Sequence, residues 1–465
     1  MNKSKLPCFY SLQGINYKNG YVTSCPTQTN QLHLLDGTIP SEFINNEEFK
    51  KHRLQLWNGE WPSGCHQCEE EELFGNKSMR MDKPYDESFF HPVMGEIDFK
   101  TNEHDESFFN PETGEIDFKS IQHIELRFNN SCNMSCLHCD TVFSSGWETA
   151  LKNYTPDNET INLHLQQLTK QRHTAKIDST SQTPSSQTLH RIDMKIDEVD
   201  RVADDLIKNF PNIIEFNVSG GEPLKQKQFF HLLDRLKDHP NASKMQAMFY
   251  TNFNADFDPK VLAEKLSSFK DSCVHISIDS GKNLYPYFRD GSWSKLKENI
   301  KIFKESEKIN NVVSGICTTS IYQLMDLYNV FEDMLTLDID VIECAMVYTP
   351  EYINPGILMK HFPDEVRNDI KETREMIENS DSREKKRWPV LAALKGLDHI
   401  EKYMNNHIIE LYNETKFDAS FPDGMTRFIK YVEQSDKIFN KDFNSTFKKY
   451  QINNNKLIRI DKESL

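Results

Sequence analysis

The chain has 465 residues, enough for two or three domains at roughly 150 residues each. Its 55 Lys and Arg face 71 Asp and Glu, a formal charge of −16 that repels a phosphate backbone and disfavours a nucleic-acid partner. No run approaches the ~18 apolar residues of a membrane span, and the opening MNKSKLPCFYSLQG lacks the apolar core of a signal peptide, so the reading is a soluble, cytoplasmic protein with no membrane partner.

In chain order, residues 1–84 come first, rich in cysteine, turns and aromatics with little sustained periodicity. That is how a fold held by a metal site rather than a large core looks. Residues 85–120 form a linker with an internal duplication: DESFFHPVMGEIDFK (86–100) recurs as DESFFNPETGEIDFK (105–119), identical at twelve of fifteen positions. Each copy has an apolar pair, a Pro/Gly turn and an Ile-Asp-Phe run, and is expected to form a small hairpin. From 121 to 350, β-rich apolar runs at 124–128, 213–219, 245–251, 274–279, 312–319 and 341–348 alternate with amphipathic segments at 225–239, 258–269, 293–307 and 322–335. Six strands with helical crossovers predict a partial α/β barrel of the TIM type rather than a closed eight-stranded one. A polar stretch at 155–192, rich in Ser, Thr and Gln, reads as a mobile insertion. Residues 351–465 are charged and largely helical, clearest at 364–380 and 397–413, and are expected as a helical C-terminal extension beside the barrel.

The ten cysteines fall mostly into two groups, which points to reduced thiols and metal ligands rather than a disulfide framework. Cys273, Cys317 and Cys344 sit singly in apolar runs and read as small buried hydrophobes. The run CNMSCLHC follows the strand IELRF directly, so Cys132, Cys136 and Cys139 lie on one loop at the C-terminal end of the first barrel strand, where barrel enzymes place their active sites. Three thiols on a [4Fe–4S] cube leave one iron open to chelate a ligand. The competing reading is an incomplete zinc knuckle, or one completed by His138. The second strand ends in NVSGGEPL: Gly220 and Gly221 let backbone approach a ligand, and the Glu222 carboxylate can accept from an amine, with Pro223 closing the turn.

The CX3CX2C spacing followed by GGEP resembles the radical S-adenosylmethionine superfamily over residues 121–350. The resemblance implies a partial (β/α)6 barrel, a [4Fe–4S] cluster on Cys132, Cys136 and Cys139, and S-adenosylmethionine chelating its open iron. It assigns the methionyl amine to Glu222 with the backbone of Gly220 and Gly221, and the ribose and methionyl carboxylate to Asn252 after Thr251, Ser277 and Asp279. His138 stands where the family usually has an aromatic, with its ring or backbone expected at the adenine.

The N-terminal pattern, Cys8, eleven residues, Gly20, four residues, Cys25, then Cys65 and Cys68, resembles the twitch module, a shortened relative of the SPASM domain. Such modules usually follow the barrel, whereas this one precedes it. The resemblance implies an auxiliary [4Fe–4S] or [2Fe–2S] cluster, although the same four thiols would suit a structural zinc ion. SSGWETALK, which holds Trp147, and KSMRM also look like that group. The implied activity starts with an electron from an external donor of the flavodoxin or ferredoxin type and yields a 5′-deoxyadenosyl radical that abstracts hydrogen from substrate. A peptide or protein side chain is the first expectation and a small molecule, handled by a dehydrogenase or related enzyme, the second. A rival of another class is a zinc-stabilised, non-catalytic binding protein.

Overall fold

The β-rich runs become strands because each is short and closed by turn residues, and the helical crossovers between them make their pairing parallel. The computed structural model describes residues 8–17, 21–26, 28, 32–34, 37–73, 78, 80, 108–141, 143–152, 193–306, 310–347, 350–380, 387–405 and 424–460. Six strands, β4 (His123–Leu126), β5 (Glu215–Val218), β6 (Gln246–Thr251), β7 (Asp271–Ser277), β8 (Asn310–Thr319) and β9 (Val341–Met346), pair side by side in sequence order, all parallel. Right-handed crossovers in that order put every connecting helix on one face, so the sheet is a partial (β/α)6 barrel with helices outside. The side chains beneath the helices, among them Ile124, Leu126, Phe216, Val218, Phe249, Val274 and Ile276, are buried. The alternate positions form the inner face, and one register row there holds Glu125, Asn217, Met248 and Cys273.

The cysteine-rich N-terminal segment extends this same sheet. Strand β1 (Gly14–Tyr17) pairs parallel with β4, Asn16 opposite Glu125, and β2 (Tyr21–Thr23) and β3 (His33–Leu34) follow antiparallel, giving nine strands. Residues 108–119, the described part of the second copy of the duplicated segment, form a hairpin bridged at Phe109 and Ile116. It docks on the helix Glu47–Trp57: the Phe109 ring lies 5.0 Å from Trp57, Arg53 donates to the Gly114 carbonyl, and Asn45 bonds Ile116 through both its amide atoms. The first copy and the insertion 155–192 lie outside the described residues.

The expected helix at 322–335 divides at Asp326 into Ile321–Met325 and Leu327–Met334. C-terminal to the barrel, the helices Pro363–Ser380, Arg387–Asn405 and Gly424–Phe439 are joined by a hairpin that periodicity did not show, β10 (Tyr450–Asn453) and β11 (Lys456–Arg459). Among the described residues no helix is long and apolar enough to cross a membrane.

Candidate functional site

The loop that carries Cys132, Cys136 and Cys139 leaves β4 at its C-terminal end and is held from several directions. Ser145, at the start of the helix Ser145–Lys152, accepts from the Cys132 amide at 3.1 Å and donates back to its carbonyl at 3.2 Å. Fully buried Trp147 donates from its indole to the Cys136 carbonyl at 2.8 Å. The hydroxyl of Tyr431, from the C-terminal helix Gly424–Phe439, donates to the Leu137 carbonyl. Trp147 is thus a support of the cysteine loop, and the C-terminal extension is part of the site's scaffold rather than an appendage.

Burial pushes the Cys132 thiol up to about 12, with Cys136 and Glu222 adding to the rise, and burial raises Cys136 as well. Such thiols lose their protons only to a strongly positive partner, which is what a metal centre supplies. Among the described residues no three or more His, Cys, Asp or Glu side chains converge where a single metal ion would sit. A cluster asks for something different, because each thiolate binds its own iron and the sulfurs stand around a body rather than a point. Three thiols on one loop match that donor set.

The GGEP turn leaves β5 beside this loop. Gly220 and Gly221 have φ of 78° and 52°, and a Cβ on Gly221 would stand 2.6 Å from both the Ser131 carbonyl and the Gln226 amide nitrogen. Gln226 reaches the carbonyls of Asn129, Ser131 and Gly220 at 3.3–3.4 Å and so staples the two loops together. Glu222 is 1% exposed, and its carboxylate accepts from the Thr251 hydroxyl (2.6 Å) and the amides of Asn252 (2.6 Å) and Leu224 (3.0 Å). Three of about four lone-pair positions are therefore filled by the protein, leaving one for an incoming donor. Burial raises its pKa, opposed by those hydrogen bonds. Pro223 is buried in the turn. Asn252 bonds Asn133 at 2.9 Å and places its amide nitrogen 3.9 Å from the Cys132 sulfur.

At the end of β7, Ser277 is half-buried, while Asp279 is fully buried with φ 55°. The Asp279 carboxylate accepts from the Thr318 amide at 2.6 Å and from Arg289 at 2.8 Å. His138 stacks on Phe288 at 5.0 Å, with its Nε2 3.8 Å from that carboxylate. Arg289, which the sequence reading did not single out, is 5% exposed, and its carbonyl lies 3.5 Å from the Cys136 sulfur. Burial opposes its charge, but the neighbouring Cys136 and Asp279 hold it protonated, so a permanent cation sits beside the thiols. No motif announces it, because its partner Asp279 lies on another element. Gln226 was missed for the same reason.

The four N-terminal cysteines are brought together. Cys8, Cys25, Cys65 and Cys68 line one pocket with Tyr10, His52, Trp61 and Arg80. Burial and then Cys25 push Cys8 up to about 12, and burial raises Cys65. Cys8 precedes the start of β1, level with His123, and Cys25 follows antiparallel β2, so this group sits at the N-terminal end of the sheet. The Cys132 loop sits at the opposite end. The two are separated by roughly 10 Å of strand, three steps at ~3.3 Å, plus the loops. Gly20 and the KSMRM residues Lys77, Met79 and Met81 lie outside the described residues.

A barrel whose cysteine loop, glycine turn and acidic strand ends all gather at the C-terminal edge is an enzyme-type α/β barrel. Residues 126–320 match the family model described as the Radical SAM superfamily. No curated protein matches the sequence. Similar solved structures include native anSMEcpe with bound AdoMet, 17% identical, covering 48% of this chain and 50% of that one, with a TM-score of 0.32. Streptococcus suis SuiB is 13% identical over 52% and 43% of the two chains, TM-score 0.31. The radical S-adenosylmethionine methyltransferase TsrM from Kitasatospora setae, with cobalamin and a [4Fe-4S] cluster bound, is 12% identical over 51% and 39%, TM-score 0.31. The chain spans half or less of the length of these proteins.

Proposed function

We propose that this chain is a radical S-adenosylmethionine enzyme, with Cys132, Cys136 and Cys139 holding a [4Fe–4S] cluster and Cys8, Cys25, Cys65 and Cys68 an auxiliary iron–sulfur cluster of a twitch-like module (1–84). When bound, the first cluster and S-adenosylmethionine supply reductive carbon–sulfur cleavage and a 5′-deoxyadenosyl radical. The chain's own residues do the rest. Gly220 and Gly221 let backbone reach the methionyl end, the remaining lone pair of Glu222 accepts from its amine, and Asn252 and Ser277 offer polar contacts. Asp279 acts through Arg289 and the β8 backbone, and His138 borders the adenine side. Arg289 offsets part of the charge that three thiolates bring.

The carrying observation is the pairing of a three-thiol loop with a Gly-Gly-Glu turn at adjacent strand ends, inside a span that matches the superfamily. Ten free cysteines accord with a reducing environment and an external electron donor of the flavodoxin or ferredoxin type. The substrate we rank first is a peptide or protein side chain.

The test is made on anaerobically reconstituted protein: iron and sulfide content, and 5′-deoxyadenosine released from S-adenosylmethionine under a strong reductant. A Cys132→Ala, Cys136→Ala, Cys139→Ala triple variant is expected to keep only N-terminal iron and release nothing. Tightly bound zinc and no release from the wild type would refute the reading.

A further inference from the structure

Two residues of the KSMRM run, Ser78 and Arg80, meet at the N-terminal cysteine pocket on the carboxylate of Glu72. Fully buried Ser78 donates its hydroxyl to Glu72 Oε1, and Arg80 donates from Nε to the same oxygen at 2.8 Å and from Nη2 to Oε2. The guanidinium carbon stands 5.3 Å from the centre of the Trp61 ring, and Arg80 and Trp61 both line the pocket with Cys8, Cys25, Cys65 and Cys68. Glu72 comes four residues after Cys68 on the helix His66–Leu73 and so shares its face. Burial would raise the Glu72 carboxyl, but the hydrogen bonds from Arg80 and Ser78 hold it below its ordinary range, so the pair is ionic. The two side chains are only 11% and 19% exposed, which leaves little water to screen them.

Among the described residues that line this pocket, Arg80 is the only permanent cation. Burial, and then Arg53, pushes His52 down to about 3, so that imidazole is neutral and brings no charge. The charge of Arg80 reaches the thiols: burial, Cys25 and Cys68 raise Cys8, whereas the Ser11 backbone and Arg80 draw it down. Four sulfurs line the pocket, yet among the described residues no three donors converge where a single ion would sit. That suits a polynuclear group held at its corners better than zinc. A cluster on four thiolates is anionic, and each electron it gains adds a further negative charge. In a pocket walled by Tyr10, Leu56 and Trp61, a fixed guanidinium is the group that offsets it.

We propose that Arg80 sets the reduction potential of the N-terminal cluster by raising it, and that Glu72 limits the rise by partly cancelling the guanidinium charge. The proposal rests on the auxiliary-cluster reading above. One electron enters from the external donor and stays on the iron; no bond forms or breaks and no proton moves. The new negative charge develops beside a cation already held in place by Glu72 and Trp61, so the reduced form is stabilised more than the oxidised form. A potential raised in this way makes the group an electron acceptor, not a source of the strongly reducing electron that carbon–sulfur cleavage takes.

The test uses the full-length chain carrying Cys132→Ala, Cys136→Ala and Cys139→Ala, so that only N-terminal iron is read. This parent is reconstituted anaerobically and titrated with dithionite, followed by electron paramagnetic resonance and visible absorbance. Arg80→Gln should make reduction about tenfold less favourable, a fall of ~59 mV for one electron. Arg80→Lys should stay near the parent, and Glu72→Gln should shift the potential upward. A merely structural ion pair cannot give opposite signs, since breaking it from either side loosens the pocket alike. Equal midpoints in the parent, Arg80→Gln and Glu72→Gln overturn the proposal, as do shifts of one sign or loss of iron from both variants. Should Arg80→Gln alone fail to keep iron, Glu72→Gln decides: a higher midpoint supports the proposal and an unchanged or lower one overturns it. Zinc in place of iron in the parent overturns the auxiliary-cluster reading itself.

Discussion

Replacing Gly221 by alanine tests whether the two loops of the site are locked to each other. The new Cβ would lie 2.6 Å from the Ser131 carbonyl, 2.6 Å from Gln226 Nε2 and 2.9 Å from the Asn129 carbonyl. Two of those three neighbours are backbone oxygens of the cysteine loop and cannot rotate away. Only the Gln226 amide can swing out, and doing so gives up its contacts to Asn129, Ser131 and Gly220. A left-handed φ of 52° costs a non-glycine residue about 1–2 kcal/mol. Losing three long hydrogen bonds adds roughly 0.5 kcal/mol each, at the weak end of the usual range. Stiffening the unfolded chain returns about 0.4–1 kcal/mol. The net expectation is a loss of about 2–3 kcal/mol, centred on the junction of the two loops. Urea unfolding of the cluster-free protein reads the stability, and iron content after reconstitution reads the site. Gly221→Ala should show a lower urea midpoint and less iron on the core cysteines, with N-terminal iron retained. A variant that unfolds with the wild type and takes up full iron would refute the lock.

Two further expectations concern other parts of the fold. Burial raises the Asp326 carboxyl from 3.8 to about 6, partly offset by Asn329. A raised folded pKa contributes stability below the unfolded value that is lost as pH rises through about 6, so at neutral pH the ionised group is a burden of roughly 2–3 kcal/mol at most. Asp326→Asn should therefore raise the urea midpoint at pH 7.5 and leave it nearly unchanged at pH 4; an equal effect at both would show the carboxyl to be solvated. Tyr431→Phe removes the donor to the buried Leu137 carbonyl and should cost about 1–3 kcal/mol. If the C-terminal helix braces the cysteine loop, this variant should also shed core iron faster under chelator than a surface variant such as Lys437→Ala.

The three-thiol loop, the glycine turn and the barrel that holds them were legible from residue order, because they depend on local spacing. CX3CX2C puts three thiols on one loop whatever surrounds it, GGEP makes a tight turn by its own backbone freedom, and all six barrel strands lie within the apolar runs or extend past them by a few residues. Short strands without periodicity were not legible: β1 to β3 have two to four residues each and gain their identity only by pairing, β1 with β4, β2 with β1 and β3 with β2. Nor were the long-range partners, since Arg289 finds Asp279, Gln226 the cysteine loop and Tyr431 the Leu137 carbonyl only once the chain has closed.

Cys273 shows the boundary most sharply. In sequence it is a lone thiol in an apolar run, and alternation alone does not say which face of a strand looks inward. Sequential strand order with right-handed crossovers decides that face by placing every helix on the other side. The same closure sets the two cysteine groups at opposite ends of one sheet, a relation that spacing along the chain cannot encode because it depends on β1 running parallel to β4.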